Sequence, residues 1–417
     1  EKRLYRRYFE LLATATTGFR GERATLTGLA RYSDDADRAL RRAACEAGWS
    51  IFDAHAQELD ELFDALVRCR AAIAQTCGFR SFAEVAVRRQ GRTSYGAAEV
   101  ARFRDAIRTS IVPFVLRCER ERAAALGVDE LMPWDESAYD LGPAIVPPLG
   151  EAALLGALRE ALGATHPAIG TFVQTSIDCG SIDVAARPGK AGGAFCVFLP
   201  RARTPFVVTN AAGVAQDVAS LVHEFGHAFA HDRCREAILL EHALPANDVA
   251  EIHSMALEFL AEPQYECFFG ASAQRYRQRQ LASRVRSFPY IAAIDHFQEL
   301  VYAHPSATAQ ERHEMWREME ARYLPWRRSG GIAFIERGGA WQRQRHVYAF
   351  PFYYVDYGLA LYAALTLRRE ALEDRGAALE RYLALCSLGG RRSFLETLAA
   401  AGIGSPFHEG ALEELVC

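Results

Sequence analysis

The pentapeptide from His223 to His227, which reads HEFGH, constrains this chain more than any other stretch, because its chemistry requires a helix. Residues four apart lie on one face of an α-helix, so the imidazoles of His223 and His227 can converge on one zinc ion. Glu224 then points toward the open coordination position, where it can act as general base on a bound water. Apolar residues at helical spacing flank the motif, and Asp217 is the predicted N-cap of the helix.

A catalytic zinc site needs a third protein ligand besides an open position. Glu251 is a better candidate for this ligand than His231. It shares one face of a second predicted helix with Glu258. One carboxylate can bind the metal while the other accepts a hydrogen bond from a ligand imidazole, although a charged helix face would explain either one alone. His231 continues the stripe of the first helix, but eight residues of helix rise about 12 Å, too far to join His223 on one ion. We therefore predict that His231 lies beside the ligands or at the rim of a cleft, with a plain surface position as the alternative.

Most of the remaining sequence has the spacing of amphipathic helices, including residues 34–76 and 96–126, with a kink expected at Pro113. Only residues 179–210 have the residue pattern that is typical of short strands. We therefore expect a mostly α fold with two helical lobes around a deep cleft and a small β-sheet beside the HEFGH helix. The predicted division is an N-terminal helical lobe, residues 1–178, and a catalytic region, residues 179–417. Residues after about 390 match no pattern that we can assign.

Composition excludes several classes of protein. The chain has 48 basic and 52 acidic residues and a net charge of −4, whereas nucleic-acid binders usually have a basic excess. Ten cysteines occur without a CxxC motif or the dense spacing of a disulfide framework. The sequence opens with a charged run, not with a signal-like stretch, and no apolar run is long enough to span a membrane. We expect a cytoplasmic protein that binds neither nucleic acid nor membrane.

A glycine-rich turn from Pro188 to Gly193 separates two of the predicted strands and contains Lys190, one of only two lysines in the chain. It lacks the GxxxxGK[ST] pattern and precedes a strand, so it is not a phosphate-binding loop. Glycines here permit a tight turn and close backbone approach. If residues 194–198 form an exposed edge strand, that edge can pair with an extended peptide through main-chain hydrogen bonds. The predicted substrate contacts in this region are Gly192, Gly193, Ala194 and Phe195.

Several segments, taken together and in order, are similar to the oligoendopeptidase F branch of the thimet oligopeptidase superfamily, over about residues 30–370. They are HEFGHAFAH from His223, AEIHSMALEF from Ala250, GRTSYGAAEVARFRDAI from Gly91, PGKAGGAFCVFLP from Pro188, TPFVVTN from Thr204, ERGGAWQRQRHVY from Glu336 and PFYYVDYGLAL from Pro351. The resemblance implies one zinc ion per chain, bound by His223, His227 and Glu251, with Glu224 as catalytic base. It also implies short peptides as substrates and an enclosed channel. Members of this branch usually have additional N-terminal helices, so we expect the N-terminal lobe to be shorter here.

A peptidase must also stabilise the oxyanion that forms when water attacks the scissile carbonyl, and a histidine or tyrosine can donate that hydrogen bond. The resemblance implies that a histidine and at least one tyrosine after residue 345 face the zinc. We favour His346 and Tyr353, with Tyr354 and Tyr357 as substitutes or substrate contacts, while some of these aromatics are expected to be core. Phe350 and Phe352 are predicted to be core.

Two alternatives to an endopeptidase remain open at this point. The same core can serve an exopeptidase, of the dipeptidase or carboxypeptidase type, that removes one or two residues. The chain can also be a non-catalytic peptide-binding relative, although the presence of both the ligand set and the base argues against that.

Overall fold

Helices form most of the chain in the structure, a computed structural model that describes residues 1–187, 190 and 193–415. The helices before the sheet are α1 (Lys2–Thr14), α2 (Leu26–Ala30), α3 (Arg38–Ala54), α4 (Ala56–Thr76), α5 (Phe82–Arg89), α6 (Ala97–Ala106), α7 (Val112–Ala125), α8 (Glu151–Thr165) and α9 (Pro167–Asp178). Those after it are α10 (Ala215–Arg233), α11 (Leu240–Ala243), α12 (Asn247–Leu260), α13 (Glu266–Phe269), α14 (Ala273–Ala303), α15 (Ala309–Tyr323), α16 (Ala333–Glu336), α17 (Arg345–Ala349), α18 (Tyr354–Glu373), α19 (Arg375–Cys386) and α20 (Phe394–Ala400).

The helical periodicity of the N-terminal part is confirmed, with interruptions where backbone chemistry requires them. The predicted helix over 34–76 is divided at His55 into α3 and α4 and ends before Gly78, which has a φ of +78°. The predicted helix over 96–126 contains a π-helical turn, Ile107–Ile111, directly before Pro113. Because proline lacks an N–H and clashes with the preceding turn, the expected distortion occurs at this point.

The three predicted strands form a small sheet. They are β3 (Ile182–Ala185), β4 (Phe195–Leu199) and β5 (Thr204–Ala211), with β5 in the centre, parallel to β3 and antiparallel to β4. Strand β4 lies at an edge of this sheet, and α10 packs against β4 and β5. The HEFGH helix therefore lies beside the sheet, as expected.

The prediction that strands occur only in residues 179–210 is wrong. A hairpin near the N-terminus pairs β1 (Thr16–Phe19) with β2 (Glu22–Thr25). Its two-residue turn, Arg20-Gly21, has positive φ at both positions, as a type I′ turn requires. Arginine is uncommon at such a position and the two strands are mostly polar. The sequence pattern therefore did not predict this hairpin.

One hydrophobic core runs through most of the molecule and includes residues from Tyr8 to Leu412. Helix α12 lies at its centre, between α10 and α18, and all of residues 251–260 are buried. The predicted fold class is confirmed: a mostly α structure with a small sheet beside α10. The division at residue 178 stays a prediction. None of the described helices combines the length and apolar character that crossing a membrane requires.

Candidate active site

Helix α10 presents the HEFGH motif in its middle. The helix begins at Ala215, so Asp217 is its third residue and the N-cap is Val214, which corrects the prediction. Asp217 still stabilises the helix start, because its Oδ2 accepts hydrogen bonds from the backbone N–H groups of residues 212, 213 and 214 at 2.7–2.9 Å. This satisfies donors just before the helix and places His223 and His227 two to three turns further on.

Three side chains from α10 and α12 bring their donor atoms together. Oε2 of Glu251 lies 3.3 Å from Nε2 of His223 and 3.7 Å from Nε2 of His227. The ligand atoms of this group lie within 4.8 Å of one another. Two imidazoles and a carboxylate on adjacent helices are a donor set that suits a catalytic transition-metal site. The residues present therefore fit a bound metal ion.

Gly226, inside the motif, allows the two helices to approach this closely. A Cβ atom at this position would lie 2.5 Å from Cα of Ser254 and 2.7 Å from the carbonyl oxygen of His253. Any side chain larger than hydrogen would push α10 away from α12. The distance between the histidines and Glu251 therefore depends on this glycine.

Glu258 lies two turns beyond Glu251 on α12, and it accepts a hydrogen bond from Nδ1 of His223 at 2.8 Å. This leaves Nε2 of His223 directed at Glu251, the arrangement that metal-ligating histidines usually have. Arg284 binds both oxygens of Glu258 at 2.5 and 2.6 Å, and Gln280 donates to Oε2 at 3.0 Å. Arg284 and Gln280 come from α14, and no local pattern in the sequence pointed to them.

The ionisation of these side chains follows from their contacts. Burial alone would lower the pKa of His223, but its hydrogen bonds to Glu251 and Glu258 raise it to about 10. Burial lowers the pKa of His227 to about 4. Burial opposes ionisation of Glu251, yet the neighbouring imidazoles and Tyr353 hold its pKa at about 2. Glu251 is therefore ionised and directed at both histidines.

Glu224 is buried beside the ligand group but is not part of it. Burial raises the pKa of its carboxyl to about 7, with Glu251 and Glu258 adding to the shift and His223 opposing it. The backbone of Cys196 in β4 also hydrogen-bonds to this carboxylate. A carboxylate with a pKa near neutrality can accept a proton and release it again, as a general base that later acts as an acid must.

On the opposite side of the cleft, His346 lies in α17 within a chain of hydrogen bonds. Tyr290 donates to Oε1 of Gln344 at 3.2 Å, and the Gln344 amide nitrogen lies 2.5 Å from Nδ1 of His346. The Nδ1 atom therefore accepts, and the proton of the neutral imidazole lies on Nε2, which is 3.4 Å from the Tyr357 hydroxyl. Burial and the charge of Arg345 lower the pKa of His346 to about 4, so the ring is neutral at pH 7. Gln344 and Tyr290 were not among the predicted residues.

The aromatic residues around His346 differ in the groups that they contact. Tyr353 donates to Oε1 of Glu251 at 2.5 Å, so its hydroxyl is directed at the third member of the His-His-Glu group. Tyr357 lies beside both His346 and Tyr353, with ring centroids 5.7 and 5.1 Å away. Tyr354 contacts His346 from the other side and also lines a cavity of about 670 Å³ beneath Gln344 and Tyr290. Phe352 is core as predicted, but Phe350 is 47% exposed, which corrects its predicted burial.

The remaining predicted residues that the structure describes lie outside the His-His-Glu group. Gly193 has a φ of +91° and its carbonyl accepts a hydrogen bond from Asn210 at 2.7 Å, while Ala194 and Phe195 lead into β4. Phe195 is 41% exposed. Gly192 lies outside the described residues. His231 packs its ring 5.7 Å from that of Phe198, and its Nδ1 is 3.4 Å from the Ala243 carbonyl, so it contacts none of the ligand group.

Lys190 has a structural role in the glycine turn. Its ammonium group donates to Oδ1 of Asp183 at 2.8 Å and to the carbonyls of Asp183 and Ala185 at 3.0 and 2.9 Å. The side chain is only 4% exposed. Three acceptors surround the compact ammonium group, a geometry that the planar guanidinium of arginine does not match. The ammonium group of Lys190 is therefore bound to β3.

A mostly helical fold with this His-His-Glu group and a buried glutamate beside it defines a metallopeptidase. The family model for peptidase family M3 matches residues 31–143 and 171–417, and the chain belongs to this family, in its oligoendopeptidase F branch.

Solved structures agree with this assignment. A 3.1 Å crystal structure assigned as oligoendopeptidase F is 38% identical, with a TM-score of 0.96 over 99% of this chain and 73% of that chain. PZ peptidase A with an inhibitor is 35% identical, with a TM-score of 0.96 over 99% and 74%. A Bacillus anthracis str. Ames protein assigned as oligoendopeptidase F is 32% identical, with a TM-score of 0.90 over 99% and 72%. A comparison with curated proteins gives no match.

Proposed function

We propose that the protein is a zinc-dependent oligoendopeptidase that hydrolyses internal bonds of short peptides. The observation that supports this most directly is the convergence of His223, His227 and Glu251 next to the buried Glu224. His223, His227 and Glu251 would bind one Zn²⁺ ion per chain. When bound, this ion would polarise the scissile carbonyl and lower the pKa of a water ligand.

Glu224 has the position and the proton affinity to serve as the base. Its carboxylate accepts a proton from the attacking water, and its pKa of about 7 lets it release that proton to the leaving amine. The hydrogen bond from the Cys196 backbone holds the carboxylate at β4. Glu224 therefore lies where an extended peptide paired with that strand would pass.

His346 and Tyr357 are the proposed donors to the oxyanion. The Nε2–H of His346 and the Tyr357 hydroxyl lie 3.4 Å apart and come from α17 and α18, across the cleft from Glu224. Tyr353 instead orients Glu251 through its 2.5 Å hydrogen bond, which leaves Oε2 of that carboxylate for the metal. This differs from the prediction, which favoured Tyr353 as a donor to the oxyanion.

The exposed edge of β4 is the proposed binding surface for the peptide backbone. Main-chain pairing along residues 194–198 would bind peptides with little regard to their side chains, as a general oligopeptidase requires. The cytoplasmic location expected from composition belongs to the same proposal. The nine cysteines in the described part of the chain are all free thiols, as a reducing compartment would maintain them.

A set of peptides of graded length, blocked at both ends, tests the proposed function. We expect the zinc-loaded enzyme to cleave blocked peptides at internal bonds, with rates that fall as length increases. Mass spectrometry of the products identifies the cleaved bonds. Release of only one or two terminal residues, and only from unblocked peptides, would instead indicate an exopeptidase. Bound zinc without any turnover would indicate a peptide-binding protein.

Gln344→Glu is expected to lower kcat about 100-fold, the scale of losing one oxyanion donor. A carboxylate at this position accepts from Nδ1–H, so the neutral imidazole of His346 would lose the proton on Nε2 that Gln344 now maintains. The new negative charge also favours the imidazolium, which has protons on both nitrogens. The ratio of variant to wild-type kcat should therefore rise as the pH falls.

The control for this variant is Gln75→Glu, which adds the same charge on the exposed face of α4 and should leave kcat unchanged. Measurement of kcat and KM from pH 5 to 9 separates the two effects. A loss in Gln344→Glu that is the same at every pH would contradict the assignment of the tautomer.

A further inference from the structure

Arg345, at the start of α17, has no counter-ion among the residues that the structure describes. It is exposed, directly precedes His346, and forms no ion pair or hydrogen bond with any residue that the structure describes. The arginines that surround the site elsewhere each have a carboxylate partner: Arg284 with Glu258, Arg92 with Asp356 and Arg343 with Glu136. Arg345 therefore has a charge that is free to bind an anion from outside the protein.

The guanidinium group of Arg345 lies against Gly193. A Cβ atom built at Gly193 would lie 3.1 Å from Nη1 of Arg345, so the group rests against the backbone of the glycine turn. A side chain at this position would crowd the guanidinium group, and the φ of +91° also favours glycine. The charge of Arg345 also acts on three nearby side chains. It lowers the pKa of His346, as burial does, and it opposes the increase that burial causes in the pKa of Tyr354 and Tyr357. The charge of Arg345 is thus next to the groups that we propose to react.

The position of Gly193 relative to β4 gives the distance from the reaction centre. Cys196, whose backbone bonds to Glu224, lies three residues further along the chain. Gly193 and Ala194 precede β4, and three residues of chain span at most about 10 Å, so Arg345 lies within about 10 Å of Glu224 along the line of the strand. This corresponds to three residues of a peptide that is paired with β4.

The direction of that peptide follows from the strand. Antiparallel pairing is slightly more stable per residue than parallel pairing. A peptide antiparallel to β4 has its carboxyl end beside the start of the strand, where Gly193 and Arg345 lie. We propose that Arg345 binds a carboxylate about three residues beyond the scissile bond, either the C-terminus of the peptide or an acidic side chain. This inference rests on the proposed function, and it assigns the site a preference that main-chain pairing cannot supply.

The chemistry suits the assignment. A guanidinium group presents paired N–H donors that match the two oxygens of a carboxylate. A charge-assisted hydrogen bond of this kind at a partly exposed site corresponds to about 10-fold in kcat/KM. Lysine can supply the charge but not the paired donors, so Arg345→Lys should retain only part of the preference.

The test uses zinc-loaded enzyme and an N-acetylated peptide with one cleaved bond, mapped by mass spectrometry. The first pair of substrates ends three residues beyond that bond, as a free acid or as an amide. The second pair is longer, ends in an amide, and has Glu or Gln at the same position. We expect the wild type to prefer the carboxylate form about 10-fold in at least one pair. A preference in the first pair identifies the C-terminus as the ligand, and one in the second identifies a side chain.

Two variants and a matched control assign the preference to the residue. Arg345→Gln should abolish it, and Arg345→Glu should reverse it in favour of Lys at that position. Arg68→Gln removes an exposed arginine of α4 without a described partner and should change nothing. Equal rates for acid and amide in both wild-type pairs, or a preference that persists in Arg345→Gln, would overturn the inference while leaving the peptidase activity established. A wild type that cleaves none of these peptides would instead refute the proposed function.

Discussion

Glu224→Gln is expected to reduce kcat/KM by a factor of about 10²–10⁴, the usual contribution of a general base, while the metal stays bound. Glutamine has nearly the same shape and can still accept the hydrogen bond from the Cys196 backbone. It cannot take a proton from water. Because Glu224 lies outside the His-His-Glu group, the variant should retain its zinc.

The measurements are steady-state cleavage of a blocked peptide and the zinc content of the purified variant. Asp232→Asn is a suitable control, since it removes one negative charge from the same helix at an exposed ion pair with Arg235. We expect the control to retain wild-type activity. Full activity of Glu224→Gln would exclude Glu224 as the base. Loss of zinc from this variant would mean that Glu224 contributes to metal binding.

Replacement of Glu251 is expected to cause the second large loss of activity, because the metal is lost while the base remains. Glu251→Ala leaves only two imidazoles and should bring zinc below one ion per chain at micromolar concentrations, with activity lost in proportion. Glu258→Gln should be milder, because this carboxylate only orients His223. Loss of such an orienting partner typically weakens metal binding about 10- to 100-fold.

Zinc titration against a competing chelator gives the affinities, and thermal unfolding gives a second measurement. Bound metal stabilises the folded state, so chelation should lower the Tm of the wild type but leave that of Glu251→Ala unchanged. An equal loss of affinity in Glu251→Ala and Glu258→Gln would contradict the distinction between a ligand and its orienting neighbour. Unaltered zinc binding in Glu251→Ala would remove it from the ligand group.

The sequence predicted those parts of the site that depend on local periodicity. His223, Glu224 and His227 follow from the spacing of one helix, and the structure places them as that spacing requires. The choice between Glu251 and Glu258 did not follow from spacing, since both lie on the same face of α12. Their different places depend on how α12 packs against α10, which the close approach at Gly226 determines. The resemblance to a known family was needed to choose between them.

Residues that act through long-range contacts could not be predicted. Arg284 reaches Glu258 from α14, and Tyr290, on the same helix, reaches Gln344 from 54 positions away in the chain. The periodicity of a single helix does not predict contacts between residues that are so far apart in the chain. Tyr353 was predicted on the correct side of the cleft, but its hydroxyl binds Glu251, a detail that depends on a few ångströms of tertiary geometry. The catalytic roles of these residues, like those of the ligands, stay predictions until the variants are measured.

The enclosure of Lys190 has a practical consequence for experiments in solution. Amine-reactive dyes and cross-linkers need an accessible amino group, and the amino group of Lys190 is covered and bonded to three acceptors. The other lysine of this sequence, Lys2, is exposed in the first turn of α1. A reporter dye or a surface tether can therefore be attached through lysine chemistry in the first turn of α1, without prior mutagenesis.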